Sequence, residues 1–180
     1  MQMSLDGYIE GPQGDMTWVN TKDDEQWEDT FEMLETVDLV ILGRVMFSDY
    51  RDFWKKALTN PDATPTEARY ARFAANTPHI VFSTRMQNAD WFNTSVIRGN
   101  VVEEIKKLKS LPGQDIYVAG GARLAATVVE GGVVDEYRLT VNPTILGSGK
   151  SFFQQQHGRR NLELISSKSV RTGRLIVRYR

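Results

Sequence analysis

The sequence predicts a three-layer α/β domain on a single mixed, mostly parallel sheet, closed by a C-terminal antiparallel hairpin. Two observations carry the expectation. Short apolar runs that stop at glycine or hydroxyl residues alternate with helically periodic segments as far as residue 130. The last third then turns strand-rich and ends in two β runs split by Arg171-Thr172-Gly173. Strand–helix alternation of this kind builds parallel sheets with helices on both faces. A third observation sets the size: 180 residues, 41% of them hydrophobic and 25% charged, suit one core. No linker or repeat divides the chain, so residues 1–180 are read as a single domain.

In order, a short β signal at Met1–Leu5 runs into Asp6-Gly7-Tyr8 and a Gly/Pro-containing loop to about Asn20. Only Met1-Gln2-Met3 precede Ser4, so the first strand is expected to be short. Trp27, Phe31 and Leu34 lie at i, i+4, i+7 on a helix whose first turn carries Asp23, Asp24 and Glu25, favourable to the helix dipole. Residues 38–42 (DLVIL) read as a buried strand, and Met46, Tyr50, Phe53, Trp54 and Ala57 as one face of a second helix. Residues 58–66 form a loop, with Thr66 as cap for a short helix over 67–76. Residues 79–82 (HIVF) are a second buried strand, 95–97 a weaker one, and Asn100 caps an amphipathic helix that Leu111-Pro112-Gly113 stops. Residues 115–119 (DIYVA) make a strand, Gly120-Gly121 a turn, and 122–130 a helix. Strands follow at 135–141 and 151–153. In the last strand Leu175, Val177 and Tyr179 alternate with Ile176, Arg178 and Arg180.

Composition excludes several chemistries. The chain has 22 basic and 23 acidic side chains and a formal charge of −1, which disfavours broad capture of nucleic acid or anionic membrane. It has no cysteine, so no disulfide, thiolate catalysis or cysteine-bound metal. Its two histidines cannot form a multi-histidine metal site. His79 opens a strand and reads as structural, and His157 as part of an exposed loop. With no targeting signal and no apolar run long enough to span a bilayer, the expected location is cytoplasmic.

Chemistry concentrates at three strand ends: Leu42-Gly43-Arg44, Phe82-Ser83-Thr84-Arg85, and Val118-Ala119-Gly120-Gly121-Ala122-Arg123. Ligands of open α/β sheets bind beyond the carboxyl ends of the strands, where helix N-termini offer free N–H groups to phosphates. Each piece also has a structural reading: Gly-Gly as a tight connection, Ser83-Thr84 as a turn, Arg44 as a solvated helix residue. Together they suit a dinucleotide. The G-x-G-x-x-G fingerprint and its acidic partner for a ribose hydroxyl are absent. Ser83, Thr84, Arg44 and Arg85 suit a 2′-phosphate instead, which favours NADPH over NADH.

The ordered set Ser4-Leu5-Asp6-Gly7-Tyr8-Ile9, Gly11-Pro12, Gly14-Asp15, Trp18, Leu42-Gly43-Arg44-Val45-Met46-Phe47, Val118-Ala119-Gly120-Gly121-Ala122 and Asn142-Pro143-Thr144-Ile145-Leu146-Gly147-Ser148-Gly149 resembles the reductase-domain family related to dihydrofolate reductase. Its best-known member is the C-terminal domain of the bacterial riboflavin-biosynthesis deaminase-reductase. The resemblance runs from residue 4 to about 180 and implies a dihydrofolate-reductase-like fold in stand-alone form, with an eight-stranded mixed sheet and NADPH along the strand ends. It implies Gly43 and Arg44 at the pyrophosphate and 2′-phosphate, Ser83, Thr84 and Arg85 at the adenosine end, and Gly120, Gly121, Ala122 and Arg123 at the pyrophosphate. Residues 4–9, with Asp6 as a catalytic candidate, would close over nicotinamide, and Trp18 could line that pocket. On the substrate side Asp23 stands at the spacing of the dihydrofolate reductase acid, and Thr140 resembles that enzyme's strand threonine. Asp23 also reads as helix-dipole compensation and Thr140 as a β-former. The implied activity is NADPH-dependent reduction of a small pyrimidine- or pterin-like heterocycle, resembling 5-amino-6-(5-phosphoribosylamino)uracil reductase. The alternatives are dihydrofolate reduction or non-catalytic NADP binding. A homodimer, with neither nucleic acid nor membrane as partner, completes the expectation.

Overall fold

The computed structural model describes residues 1–19, 24–153 and 158–180. Asp23 and His157 lie outside the described residues. The chain forms two compact units, Trp27–Leu124 and Met1–Gln26 with Ala125–Arg180. The helix α1 (Asp24–Leu34) starts in the second of these and continues into the first.

In the 27–124 unit β3 (Val37–Gly43) is central, flanked by β4 (His79–Phe82) and β6 (Asp115–Gly120), with β5 (Thr94–Ile97) beyond β4. All pairings are parallel, and the register sets Gly43 beside Phe82, Phe82 beside Ile97, and Leu42 beside Gly120. Four strand ends therefore open on one side. Val40, Ile41 and Leu42 are each 0% exposed. Successive side chains leave a strand on opposite faces, so β3 is buried on both, which explains its unbroken apolar run.

Two helices follow β3: α2 (Arg44–Thr59) and α3 (Pro65–Asn76). Phe47, Tyr50, Trp54 and Ala57 of α2 share one core with Phe31, Leu34, Tyr70, Ala71, Ala74, Val40, Leu42 and Val81. Full burial of such apolar side chains contributes roughly 1.5–3 kcal/mol each. Phe53, expected on that face, is instead exposed, although its ring meets Trp54 edge-on. The cap of α3 also differs from expectation. It is Thr64 rather than Thr66: Thr64 Oγ1 accepts from Glu67 N at 3.2 Å while Glu67 Oε2 accepts from Thr64 N at 2.8 Å. Pro65 at the first helical position and the reciprocal Thr-x-x-Glu bonding fix the earlier start. Asn100 caps α4 (Val101–Lys109) as expected, accepting from Val102 N and Glu103 N.

His79 is buried against this aromatic core. Tyr50 Oη lies 3.2 Å from its Nε2, and the Trp91 ring stacks on it at 5.4 Å between centroids. Burial pulls its pKa down to about 4, against a weaker opposing pull from the Thr77 backbone. The imidazole is neutral near pH 7, in keeping with a structural role.

In the other unit β1 (Gln2–Ser4) runs parallel to β7 (Tyr137–Asn142), β10 (Leu175–Tyr179) is antiparallel to β7, and β9 (Leu164–Ser169) is antiparallel to β10. A second ladder joins β2 (Tyr8–Glu10) to β8 (Lys150–Ser151). The strict alternation expected of β10 gives way to burial of both Ile176 and Val177, because β10 is an inner strand. The helix α5 (Ala122–Glu130) carries buried Leu124, Ala125, Ala126, Val128 and Val129. No described helix is long and apolar enough to cross a membrane.

Candidate functional site

The glycine and basic residues singled out at three strand ends all fall in the 27–124 unit, and the parallel register brings those ends to one side. Gly43 ends β3 in extended conformation and is the N-cap of α2, with no side chain capping the helix. The first N–H groups of α2 are thus not taken by a cap. Gly121 has φ +93°, and a Cβ there would sit 3.5 Å from Gly43 Cα and 3.7 Å from Gly43 N. The two strand-to-helix turns therefore lie close together, and the positive φ at 121 is what favours glycine there. Ala122 opens α5 directly after it, and Arg123 is exposed.

At the end of β4, Ser83 N donates to Ile97 O at 3.0 Å, which ties the turn to β5. Ser83 Oγ accepts from Arg85 N at 3.1 Å and Met86 N at 2.9 Å. The Ser83 oxygen shapes the turn, and its O–H remains available to donate. Thr84 and Arg85 are exposed, as is Arg44, and the side chains of all three make no hydrogen bond or ion pair among the described residues. Sequence reasoning missed Arg98, which follows β5 and donates from Nη2 to Met86 O at 2.9 Å. It braces the turn that Ser83 begins. Nothing in the sequence pairs an isolated arginine after a weak strand with a carbonyl twelve residues earlier.

This donor set fits a phosphorylated dinucleotide: uncapped helix amides, a glycine-lined approach, hydroxyls, and the exposed Arg44 and Arg85 guanidinium groups, which pair with no carboxylate among the described residues. Each of these groups can donate a hydrogen bond, as an anionic ligand requires. Among the described residues no three His, Asp or Glu side chains gather as a metal site.

The substrate-side candidates fall in the other unit. Thr140 is 8% exposed on β7, paired with Gln2 and Ile176. Beside it Asn142, 2% exposed, donates from Nδ2 to Gln2 Oε1 at 2.9 Å and to Thr140 O at 3.2 Å. Asp6 is an anchor. Its Oδ1 accepts from Ser4 Oγ at 2.6 Å and Leu146 N at 3.1 Å, and its Oδ2 from Gly147 N at 2.8 Å. These bonds, led by that of Ser4, hold its carboxyl down at about 2. The carboxylate is thus engaged with both ends of the segment pairing it anchors.

The segment 4–10 is pinned along its length to 144–152. Leu5 N donates to Thr144 O at 2.8 Å, Phe152 N donates to Gly7 O at 3.0 Å, and Lys150 pairs with Glu10. A Cβ on Gly149, whose φ is +139°, would overlap the Glu10 carbonyl. Further on, Asp15 Oδ1 accepts from the Thr17 amide and hydroxyl, and Trp18 Nε1 donates to Asp15 O at 3.0 Å.

The chain is similar to several known proteins. The uncharacterized protein YyaP of Bacillus subtilis is 32% identical over 179 residues, covering 99% of this chain and 91% of its own. A putative riboflavin biosynthesis protein from Shewanella sp. PV-4 superposes with TM-score 0.75 at 20% identity, over 99% of this chain and 94% of its own. The diaminohydroxyphosphoribosylaminopyrimidine deaminase/5-amino-6-(5-phosphoribosylamino)uracil reductase of Thermotoga maritima gives 0.69 at 15% identity, over 99% of this chain and 54% of that longer one. Dihydrofolate reductase from Enterococcus faecalis, complexed with NADP(H), gives 0.61 at 16%, over 99% and 91%. These likenesses show a dihydrofolate-reductase-like fold. A family model for the RibD C-terminal domain matches residues 1–176, and the chain belongs to that family.

Proposed function

We propose that the protein is an NADPH-dependent reductase of a small pyrimidine- or pterin-like heterocycle, related in chemistry to 5-amino-6-(5-phosphoribosylamino)uracil reduction. The observation that carries this reading is the set of uncommitted donors at the ends of β3, β4 and β6. Gly43 leaves α2 uncapped, Gly121 lies against it, and Arg44, Thr84 and Arg85 face solvent without partners among the described residues. The reductase and the NADP(H) complex among its structural relatives support the same reading.

In this proposal the α2 amides and the Gly120-Gly121-Ala122-Arg123 turn hold the pyrophosphate. Arg44 and Arg85, with the Ser83 and Thr84 hydroxyls, hold the 2′-phosphate. A bound dihydronicotinamide would supply hydride, which no amino-acid side chain provides. Asp6 keeps the 4–7 segment in place, and Asp23 and Thr140 are the proposed groups on the substrate side.

Isothermal calorimetry tests the cofactor claim. Arg44→Ala and Arg85→Ala are each expected to weaken NADPH binding roughly 10- to 100-fold, as loss of a charge-assisted bond does, and NADH binding far less. Equal losses for both cofactors would remove the 2′-phosphate assignment. Absorbance assays with pterins and ribosylaminopyrimidines then test turnover. Tight NADPH binding without oxidation by any acceptor would favour a non-catalytic nucleotide-binding protein.

A further inference from the structure

Within the 27–124 unit, Tyr50 stands among aromatic rings that the reductase reading does not use. Its ring centroid lies 5.4 Å from Trp91, 5.6 Å from His79, and 6.2 Å from both Trp54 and Tyr70. Trp91 is only partly buried, and the neighbouring Phe92 is 53% exposed, so the cluster has an edge at the surface.

These rings differ in where a proton can go. Trp91 Nε1 is buried with no hydrogen-bond partner among the described residues. Tyr50 Oη, by contrast, lies 3.2 Å from Nε2 of His79, which is 1% exposed. Burial lowers the His79 pKa, and the Thr77 backbone offsets part of this, as a carbonyl does when it accepts a ring N–H. With Nε2 on the phenol, that N–H is Nδ1–H, and its contact with the carbonyl falls short of a full hydrogen bond. Nε2 therefore keeps its lone pair, and Tyr50 donates to it. Burial raises the Tyr50 pKa and a hydrogen bond from Tyr70 lowers it, so the phenol is protonated and its oxygen has a second partner. Tyr117, whose pKa burial raises to about 12, has no hydrogen bond to a base among the described residues.

We propose that Tyr50 is a redox-active tyrosine: an electron hole placed on Trp91 moves to Tyr50, whose phenolic proton passes to His79 Nε2. The step balances. An external one-electron oxidant, such as a ruthenium(III) polypyridyl, takes one electron from Trp91 and is reduced. Tyr50 gives one electron to the indole radical cation, and its O–H bond breaks as an N–H bond forms at Nε2. The products are restored Trp91, a neutral tyrosyl radical and an imidazolium. Trp91 does not settle the hole by losing its own proton, because Nε1 meets no acceptor among the described residues. A phenol radical cation is far more acidic than an imidazolium, so even a weakly basic imidazole takes the proton. One positive charge enters the cluster and one remains, so the transfer adds no buried charge. The chain has no cysteine, and no thiol competes for the hole. An electron returned by a reductant sends the proton back to the Tyr50 oxygen. The inference is independent of the reductase reading.

Flash-generated tris(bipyridyl)ruthenium(III) with the intact chain tests this by transient absorption, which separates tryptophan from tyrosyl radicals. In the wild type a tryptophan signal is expected to decay into a tyrosyl signal, more slowly in heavy water because a proton moves with the electron. Tyr50→Phe keeps the ring and removes the O–H. It is expected to lose that tyrosyl signal and to prolong the tryptophan signal at least about tenfold. His79→Gln, which gives the phenol an acceptor that does not take up a proton, should do the same with circular dichroism unchanged. Tyr117→Phe should leave both signals as in the wild type. A wild type that forms no tyrosyl radical from tryptophan overturns the proposal. So does a Tyr50→Phe variant that still forms it, or a folded His79→Gln variant that transfers the hole at the wild-type rate. Where His79→Gln does not fold, the comparison in heavy water decides: equal rates in both waters overturn the proposal.

Discussion

Two glycine-bearing pairs of segments spend their hydrogen bonds in opposite ways. At the ends of β3, β4 and β6 the backbone is close-set, but Arg44, Thr84 and Arg85 reach solvent unengaged among the described residues. Around Asp6 the donors and acceptors are used internally: Ser4, Leu146 and Gly147 converge on one carboxylate, and Leu5 and Phe152 complete the seam. The first arrangement has donors to offer to an anion. The second has rigidity instead. The difference separates recognition from support by which polar groups are left unsatisfied, and residue type alone does not reveal it.

The sharpest way to break the comparison is Gly149→Ala. The new methyl group would overlap the Glu10 carbonyl on a backbone already in the left-handed half of φ space. A loss on the order of 3 kcal/mol is expected, which for a chain of this length lowers Tm by about 6–12 °C in a thermal melt. An unchanged Tm would mean that the seam is loose. Next in size, Arg98→Ala should leave Tm nearly unchanged yet weaken NADPH binding by about three- to tenfold in calorimetry, by freeing the Met86 carbonyl. A large fall in Tm with unaltered binding would place Arg98 on the supporting side instead.

The smallest effect concerns Asp6→Asn. The native pKa of about 2 lies below the ordinary 3.8, so the unfolded state takes up this proton first as pH falls. The stabilisation is complete above about pH 4 and disappears towards pH 2. The Tm difference between wild type and Asp6→Asn should therefore be constant near neutrality and vanish in acid. A difference that changes near pH 6 would point to another group.

Legibility in the sequence followed the range of the forces. The strand β3 was plain because burial on both faces demands an unbroken apolar run, and Asn100 because its bonds stay within one helical turn. The cap of α3 was misplaced because Thr64 and Thr66 are both good caps, and only the reciprocal bond to Glu67 separates them. Apolar runs that close on glycine, hydroxyl and basic residues marked the three strand ends, and their parallel register sets them side by side. The anchoring of Asp6 was not legible because two of its partners, Leu146 and Gly147, lie 140 and 141 positions away. The strand β9 showed only as half of a hairpin, since alternation marks one buried face and here neither face is buried.

The stacking of Trp91 on His79 has an optical consequence. An imidazolium accepts an electron from an excited indole far better than a neutral imidazole does, and the two rings are 5.4 Å apart at an interplanar angle of 23°. Because burial lowers the imidazole pKa to about 4, quenching of Trp91 by imidazolium is expected to set in only in acid, as His79 takes its proton. Among the four tryptophans, the acid-sensitive part of the emission is thus expected to come from Trp91 and to report the charge at the centre of the aromatic core.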